Sequence, residues 1–183
     1  MVEASAGFVA WLGASVVVLA DGRRGLALGI ALAAAGLGAL AWLDAGPPAA
    51  AVVAAGGLVA AGGRLRAGEP GWAIMPAGST PRTVLCVATA LVALWLALVI
   101  TTGPGAGLRF AAVACLALAA ARVLWSNDGV VELTAVGVLA LAVGVASAMG
   151  SGDVTFWPYL AAGVVAAGTG WIPQIPPRKS GGG

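Results

Sequence analysis

The chain has 183 residues, of which 61% are hydrophobic and 9% are charged, with a net charge of +2. A soluble domain carries about 25% charged residues, so this composition excludes an ordinary soluble protein and predicts an integral membrane protein. The small net charge gives no indication of nucleic-acid binding, and the first partner that the composition predicts is the lipid bilayer.

Seven apolar segments follow one another along the chain, and each is close to the length of about 20 residues that a membrane-spanning helix needs. Turn and helix-breaking combinations such as Asp44–Pro48 and Gly103–Gly105 separate them. We place the seven helices at residues 5–20, 25–43, 47–63, 83–102, 107–125, 129–149 and 154–172. The predicted fold is therefore an all-α, polytopic membrane protein with about seven transmembrane helices.

The longest polar interruption, Arg64–Arg82, divides the chain into two apolar halves. Pro173, Pro176 and Pro177 end the last helical pattern ahead of a short Gly-rich tail. The predicted organisation is a first transmembrane half at 1–63 with three helices, a cytoplasmic or interfacial loop at 64–82, a second half at 83–173 with four helices, and a disordered tail at 174–183.

The basic residues orient these helices, because Lys and Arg concentrate on the cytoplasmic side of a membrane protein. With the N-terminus outside, only Arg109 falls in an outside connection. The inside loops and tail then hold Arg23, Arg24, Arg64, Arg66, Arg82, Arg122, Arg178 and Lys179. This partition predicts an outside N-terminus and an inside C-terminus, and it favours an odd number of helices.

Tryptophans give a second check on the helix ends, since their amphipathic rings favour the headgroup level of a bilayer. Trp42, Trp125, Trp157 and Trp171 all fall at predicted ends. Trp11 and Trp95 lie deeper, and we expect them to pack between helices.

The two halves show a weak similarity at an offset of about 82 to 84 residues, in which Trp11, Gly25 and Trp42 have counterparts at Trp95, Gly107 and Trp125. Three helices separate the copies, so they would enter the membrane from opposite sides, as inverted repeats do in many transporters. A 3+3 inverted repeat plus one helix is one interpretation. Chance alignment of abundant Ala, Leu and Gly is the other.

Ionisable residues at membrane depth are costly and therefore candidates for function. Glu132 lies about one turn into the sixth predicted helix, Asp128 stands four positions earlier on the same face, and Arg122 ends the preceding helix. These three residues are a candidate proton or cation relay. Alternatively, the two acids stabilise a helix N-terminus near the headgroups and pair with Arg122.

The loop between the two halves combines basic ends with an apolar middle. Arg64, Arg66, Trp72 and Arg82 are candidate interfacial or partner contacts, in which the arginines meet anionic lipid headgroups while Trp72 dips into lipid. A docking surface for another protein explains the same pattern.

The chain has no His, and nothing in it resembles a nucleophile elbow, a phosphate-binding Gly loop or a metal cluster. We therefore expect no enzyme, no metal and no cofactor. Arg outnumbers Lys eight to one, which is typical of GC-rich bacterial genomes and predicts a multi-pass protein of the bacterial cytoplasmic membrane. The leading hypothesis is a non-enzymatic structural or accessory subunit that binds other membrane proteins in a larger complex. The alternative is a small transporter or proton/cation-conducting module that uses Glu132.

Overall fold

The computed structural model describes residues 1–66, 70–74, 80–99, 105–126, 128–150 and 156–172. Seven α-helices lie in these ranges, so the all-α prediction is confirmed. They are α1 Val2–Leu19, α2 Arg23–Ala45, α3 Pro47–Arg66, α4 Thr80–Val99, α5 Ala106–Trp125, α6 Gly129–Gly150 and α7 Trp157–Thr169. The predicted tail, 174–183, lies outside the described residues.

Five of the seven helices, α1, α2, α3, α5 and α6, are long and apolar enough to cross a membrane. Their length and composition are consistent with a helical membrane protein. The shortest helix, α7, has 13 residues within the described part of the chain.

The turns between the first three helices are tight. Ala20 has an extended backbone, and Gly22 caps the N-terminus of α2. At the other end of α2, Gly46 has φ 84°, a conformation that favours glycine, and Pro47 then opens α3 at a position where its missing N–H costs no hydrogen bond. The sequence therefore folds α1, α2 and α3 into one up-and-down unit.

The bundle consists of two three-helix units that face each other. In the first, α2 packs on α1 and α3; in the second, α6 packs on α5 and α7. Across the interface α1 contacts α5, α2 contacts α6 and α3 contacts α7. The starts of α1 and α5 meet through Glu3 and Gly107, and their ends meet through Ala20 and Arg122, so these two helices run in the same direction. An Asp-Gly pair stands at the start of both α2 and α6.

We call the end of the bundle where α1 and α5 end the Asp21 end, and the opposite end, where α2 ends, the Asp44 end. The predicted inverted repeat would relate α1–α3 to α4–α6. In the structure, the unit that faces α1–α3 is α5–α7, and α4 belongs to neither.

Small residues bring the two units close together. A Cβ on Gly56 would overlap the backbone of Gly163, and a Cβ on Gly63 would overlap that of Gly170, so α3 and α7 touch almost backbone to backbone. This is the close packing that small residues allow in membrane helices, where the hydrophobic effect does not drive association.

The remaining helix, α4, lies against the outside of α1 and α5 within the described part of the chain. Trp11 of α1 donates its indole N–H to the carbonyl oxygen of Cys86 in α4 at 3.4 Å, so its predicted packing between helices is confirmed. The same prediction is wrong for Trp95, which is exposed on α4. The reason is that the described residues that contact α4 lie on one side of it, and Trp95 lies on the other.

Candidate functional site

Asp21, in the turn between α1 and α2, joins three parts of the bundle at the Asp21 end. Its two carboxylate oxygens accept hydrogen bonds from Nη1 of Arg82, in the first turn of α4, at 3.1 and 3.0 Å. Its Oδ1 also accepts a hydrogen bond from Nη2 of Arg122, in the last turn of α5. One carboxylate therefore pairs with two arginines that approach from different helices.

The two arginines differ in burial. The Arg82 side chain is 34% exposed, whereas that of Arg122 is 5% exposed. Arg122 also donates Nη2 to the Ala20 carbonyl oxygen at 3.1 Å, while its Nε is buried without a hydrogen-bond partner among the described residues. A buried guanidinium needs its countercharge far more than an exposed one does, because few other groups can solvate it.

A short stretch of the polar loop folds back over this turn. The backbone N–H of Asp21 donates to the Ala73 carbonyl oxygen, and that of Arg24 donates to the Gly71 carbonyl oxygen, both at 3.1 Å. Ala20 and Ile74 form an isolated antiparallel bridge. The loop thus satisfies backbone groups that the break between α1 and α2 exposes.

A cavity of about 320 Å³ opens beside these charges. It is lined by Asp21, Arg82, Arg122, Trp125, Ser126, Asp128 and Val131. Asp128 accepts a hydrogen bond from the Val130 N–H at 2.9 Å and so caps α6. The cavity therefore presents two guanidinium groups and two carboxylates at the junction of α1, α4, α5 and α6.

The structure brings two of the three candidate relay residues together. Arg122 and Asp128 line the same cavity, although the hydrogen-bonded partner of Arg122 is Asp21. Glu132 lies in the first turn of α6 and is exposed, on the face that also carries Val136 and Leu139 and away from the buried Val131. No chain of ionisable side chains extends from Glu132 into the core among the described residues, whose buried charged side chains are Arg64 and Arg122.

The four candidate interfacial residues have different environments. Arg64 does not reach the surface; it is fully buried and donates Nη2 to the Thr169 carbonyl oxygen at the end of α7. The prediction that Arg64 contacts headgroups is corrected, because α7 covers this side of α3. Arg66 lies over the Trp171 ring at 5.5 Å, and Trp72 is exposed. Arg82 is held by Asp21 and retains partial exposure.

Among the described residues, the Asp44 end carries fewer charges than the Asp21 end. Buried Tyr159 donates its hydroxyl to Asp44 Oδ2 at 2.9 Å, and Glu3 Oε1 accepts the Gly107 N–H at 3.0 Å at the start of α5. A second cavity, of about 370 Å³, is lined by Glu3, Leu40, Leu43, Asp44, Gly105, Leu108 and Arg109.

The role of Asp21 is not evident from the sequence, in which Asp21 and Gly22 form a helix-breaking turn. The available signal was the position of this carboxylate, one of few acids among many arginines on the predicted inner side. In the described residues no group of three or more His, Cys, Asp or Glu is placed to hold a metal ion. No protein-family model, curated protein or solved structure matches the chain.

Proposed function

We propose that all seven helices span the cytoplasmic membrane of a bacterium, with the N-terminus outside and the C-terminus inside. The distribution of arginines supports this orientation. Among the described residues, the Asp44 end has Arg109, whereas the Asp21 end has Arg23, Arg24, Arg64, Arg66, Arg82 and Arg122. The Asp21 end would then face the cytoplasm.

Within that membrane, the protein acts as a non-enzymatic accessory subunit of a larger complex. The observation that carries this proposal is the free face of α4. Four large apolar side chains, Val84, Val87, Leu91 and Leu94, are exposed in one row with spacings of three and four residues, the repeat of a helix–helix seam. Trp95 adds an aromatic ring beside the row.

The position of α4 supports the same role. It stands outside the two units, so a partner helix can pack against it without disturbing the contacts between α1–α3 and α5–α7. The core between those units consists mainly of Ala, Gly, Val, Leu and Ile, with Cys115, Thr134 and Tyr159 among them, and the buried arginines of the described residues lie at the Asp21 end. Such a core is suited to a rigid support more than to a path for a polar substrate.

The test is affinity purification from the native membrane in mild detergent, followed by mass spectrometry of the co-eluting proteins. We expect stoichiometric membrane partners. Leu91→Trp should release them, because the added ring blocks the seam. Leu58→Trp is the matched control, since Leu58 on α3 is 60% exposed against 62% for Leu91, but its exposed neighbours at the same spacing, Ala55 and Gly62, are small. Elution of the wild-type protein alone would contradict the proposal.

The alternative is a small transporter or proton/cation-conducting module. The arrangement of the bundle favours this alternative, because its two three-helix units face each other and parallel repeats occur in several transporter folds. A cavity with charged lining residues also opens at each end of the bundle. With Glu132 as the coupling carboxylate, Glu132→Gln should abolish flux in proteoliposomes without affecting folding. If the purified protein shows flux that survives this change, Glu132 has no coupling role.

A further inference from the structure

Two buried arginines at the Asp21 end have N–H groups without acceptors among the described residues. These groups are Nε of Arg122, and Nε and Nη1 of Arg64. Leaving a buried donor of a charged group unpaired is costly, so such groups usually have a partner. Arg122 lines the cavity beside Asp21, so an anionic group bound in this cavity lies against a guanidinium that carries one of these unpaired N–H groups.

The charges around the cavity define the ligand further. The two guanidinium groups of Arg82 and Arg122 are balanced by the carboxylates of Asp21 and Asp128, and the charge of Asp128 acts on Arg122. A simple anion would be attracted by the two arginines but repelled by the carboxylate of Asp128. A ligand with both a phosphate and an ammonium group satisfies both signs, with the phosphate toward Arg122 and the ammonium toward Asp128.

Size and position indicate where such a ligand comes from. A volume of about 320 Å³ is at the lower end of ligand sites, which suits a headgroup whose acyl chains remain outside. Trp125 lines the cavity and is exposed at the end of α5, as expected for an aromatic ring at headgroup level.

We propose that the Asp21 cavity binds the headgroup of a zwitterionic phospholipid of the inner leaflet, in which a phosphate and a primary amine are recognised together. This inference rests on the proposed membrane embedding and orientation, and not on the accessory-subunit role. It therefore survives if no protein partner is found.

The test is native mass spectrometry of the purified full-length chain after incubation with equal amounts of phosphatidylethanolamine and phosphatidylglycerol. We expect one tightly retained lipid, with phosphatidylethanolamine preferred about tenfold, which corresponds to about 1.4 kcal/mol. Asp128→Asn keeps an oxygen to cap α6 but removes the charge that binds the amine. The variant should therefore retain the two lipids equally. Glu132→Gln removes a carboxylate one turn away that does not line the cavity, and it should leave the preference unchanged.

Soluble probes distinguish a lipid from a free phosphate compound. Glycerophosphoethanolamine should compete with the retained lipid in the wild type, and inorganic phosphate should compete poorly. If a soluble probe binds but neither lipid is retained, the occupant is not a lipid and the proposal is overturned. Equal retention of the two lipids by the wild type, or equal effects of Asp128→Asn and Glu132→Gln, would overturn it as well.

Discussion

The six helices of the two facing units and the single helix α4 are held by different means. Between the two units, glycines let helices meet almost backbone to backbone, as at Gly56 and Gly163. By contrast, α4 lies on one side of the bundle. The polar contacts between α4 and the bundle include the Arg82–Asp21 ion pair and the Trp11–Cys86 hydrogen bond. The difference indicates that α4 can be displaced while the six-helix bundle stays folded.

Two buried, free cysteines report on the two regions separately. Cys86 lies on α4 and Cys115 lies on α5. A thiol reagent should modify Cys86 when α4 moves away, and Cys115 only when the bundle itself opens. The ratio of these two rates and the free energy of unfolding in mixed micelles therefore measure the stability of α4 and of the bundle separately.

The largest effect is expected from Gly56→Leu. The added side chain meets the backbone of Gly163, which has no flexible end to move aside. Overpacking of this kind should reduce the free energy of unfolding by about 3 kcal/mol, and both cysteines should become reactive. Gly62→Leu is the control on the same helix, since a Cβ there meets nothing within 4 Å. Equal losses from the two changes would contradict the close packing of α3 on α7.

A smaller loss is expected from Asp21→Asn, which leaves buried Arg122 without its countercharge. Breaking a buried ion pair from one side costs about 3–5 kcal/mol, and we expect about 2 kcal/mol here because the Asp21 side chain is 38% exposed. Glu132→Gln removes an exposed carboxylate and should cost less than about 0.5 kcal/mol. The difference between the free energies of unfolding of the two variants, measured in urea or SDS, gives the contribution of the Asp21 carboxylate to stability.

The seven helices and Asp21 show how much of the structure can be predicted from the sequence. Runs of apolar residues between turn signals located all seven helices, because their length and composition are local properties. The role of Asp21 depends on which helices are neighbours, and its partners Arg82 and Arg122 are far away along the chain. Helices that are apolar on all sides give no periodic signal for the face that packs inward, so the sequence does not show that Trp95 is exposed. Arg64 is buried because α3 continues beyond it and α7 covers it, whereas the sequence predicts a loop from Arg64 onward.

Trp11→Phe should affect α4 alone. It removes the indole donor to the Cys86 carbonyl oxygen and keeps most of the ring, at a cost of about 0.5–1 kcal/mol. The reaction rate of Cys86 should rise about threefold, while that of Cys115 stays constant. Trp95→Phe provides the comparison, since that ring is exposed on the same helix and should change neither rate. A parallel rise in both rates for Trp11→Phe would show that α4 and the bundle open together.

Arg82→Gln should have the smallest effect. Its ion pair with Asp21 is partly exposed, and such pairs contribute less than about 1 kcal/mol. The Cys86 rate should rise less than about threefold and should show a weaker dependence on salt than in the wild type. Arg24→Gln removes an exposed positive charge at the same end as a control. A loss as large as that from Asp21→Asn would mean that Arg82, and not buried Arg122, is the main partner of Asp21.

We propose that the free face of α4 contacts another membrane protein. The most direct test places a photo-crosslinking amino acid at Leu91 or at Leu58 and irradiates native membranes. We expect a discrete crosslinked protein from position 91, identifiable by mass spectrometry, and none from position 58, which is equally exposed on α3. Crosslinks to lipid alone at both positions would contradict it.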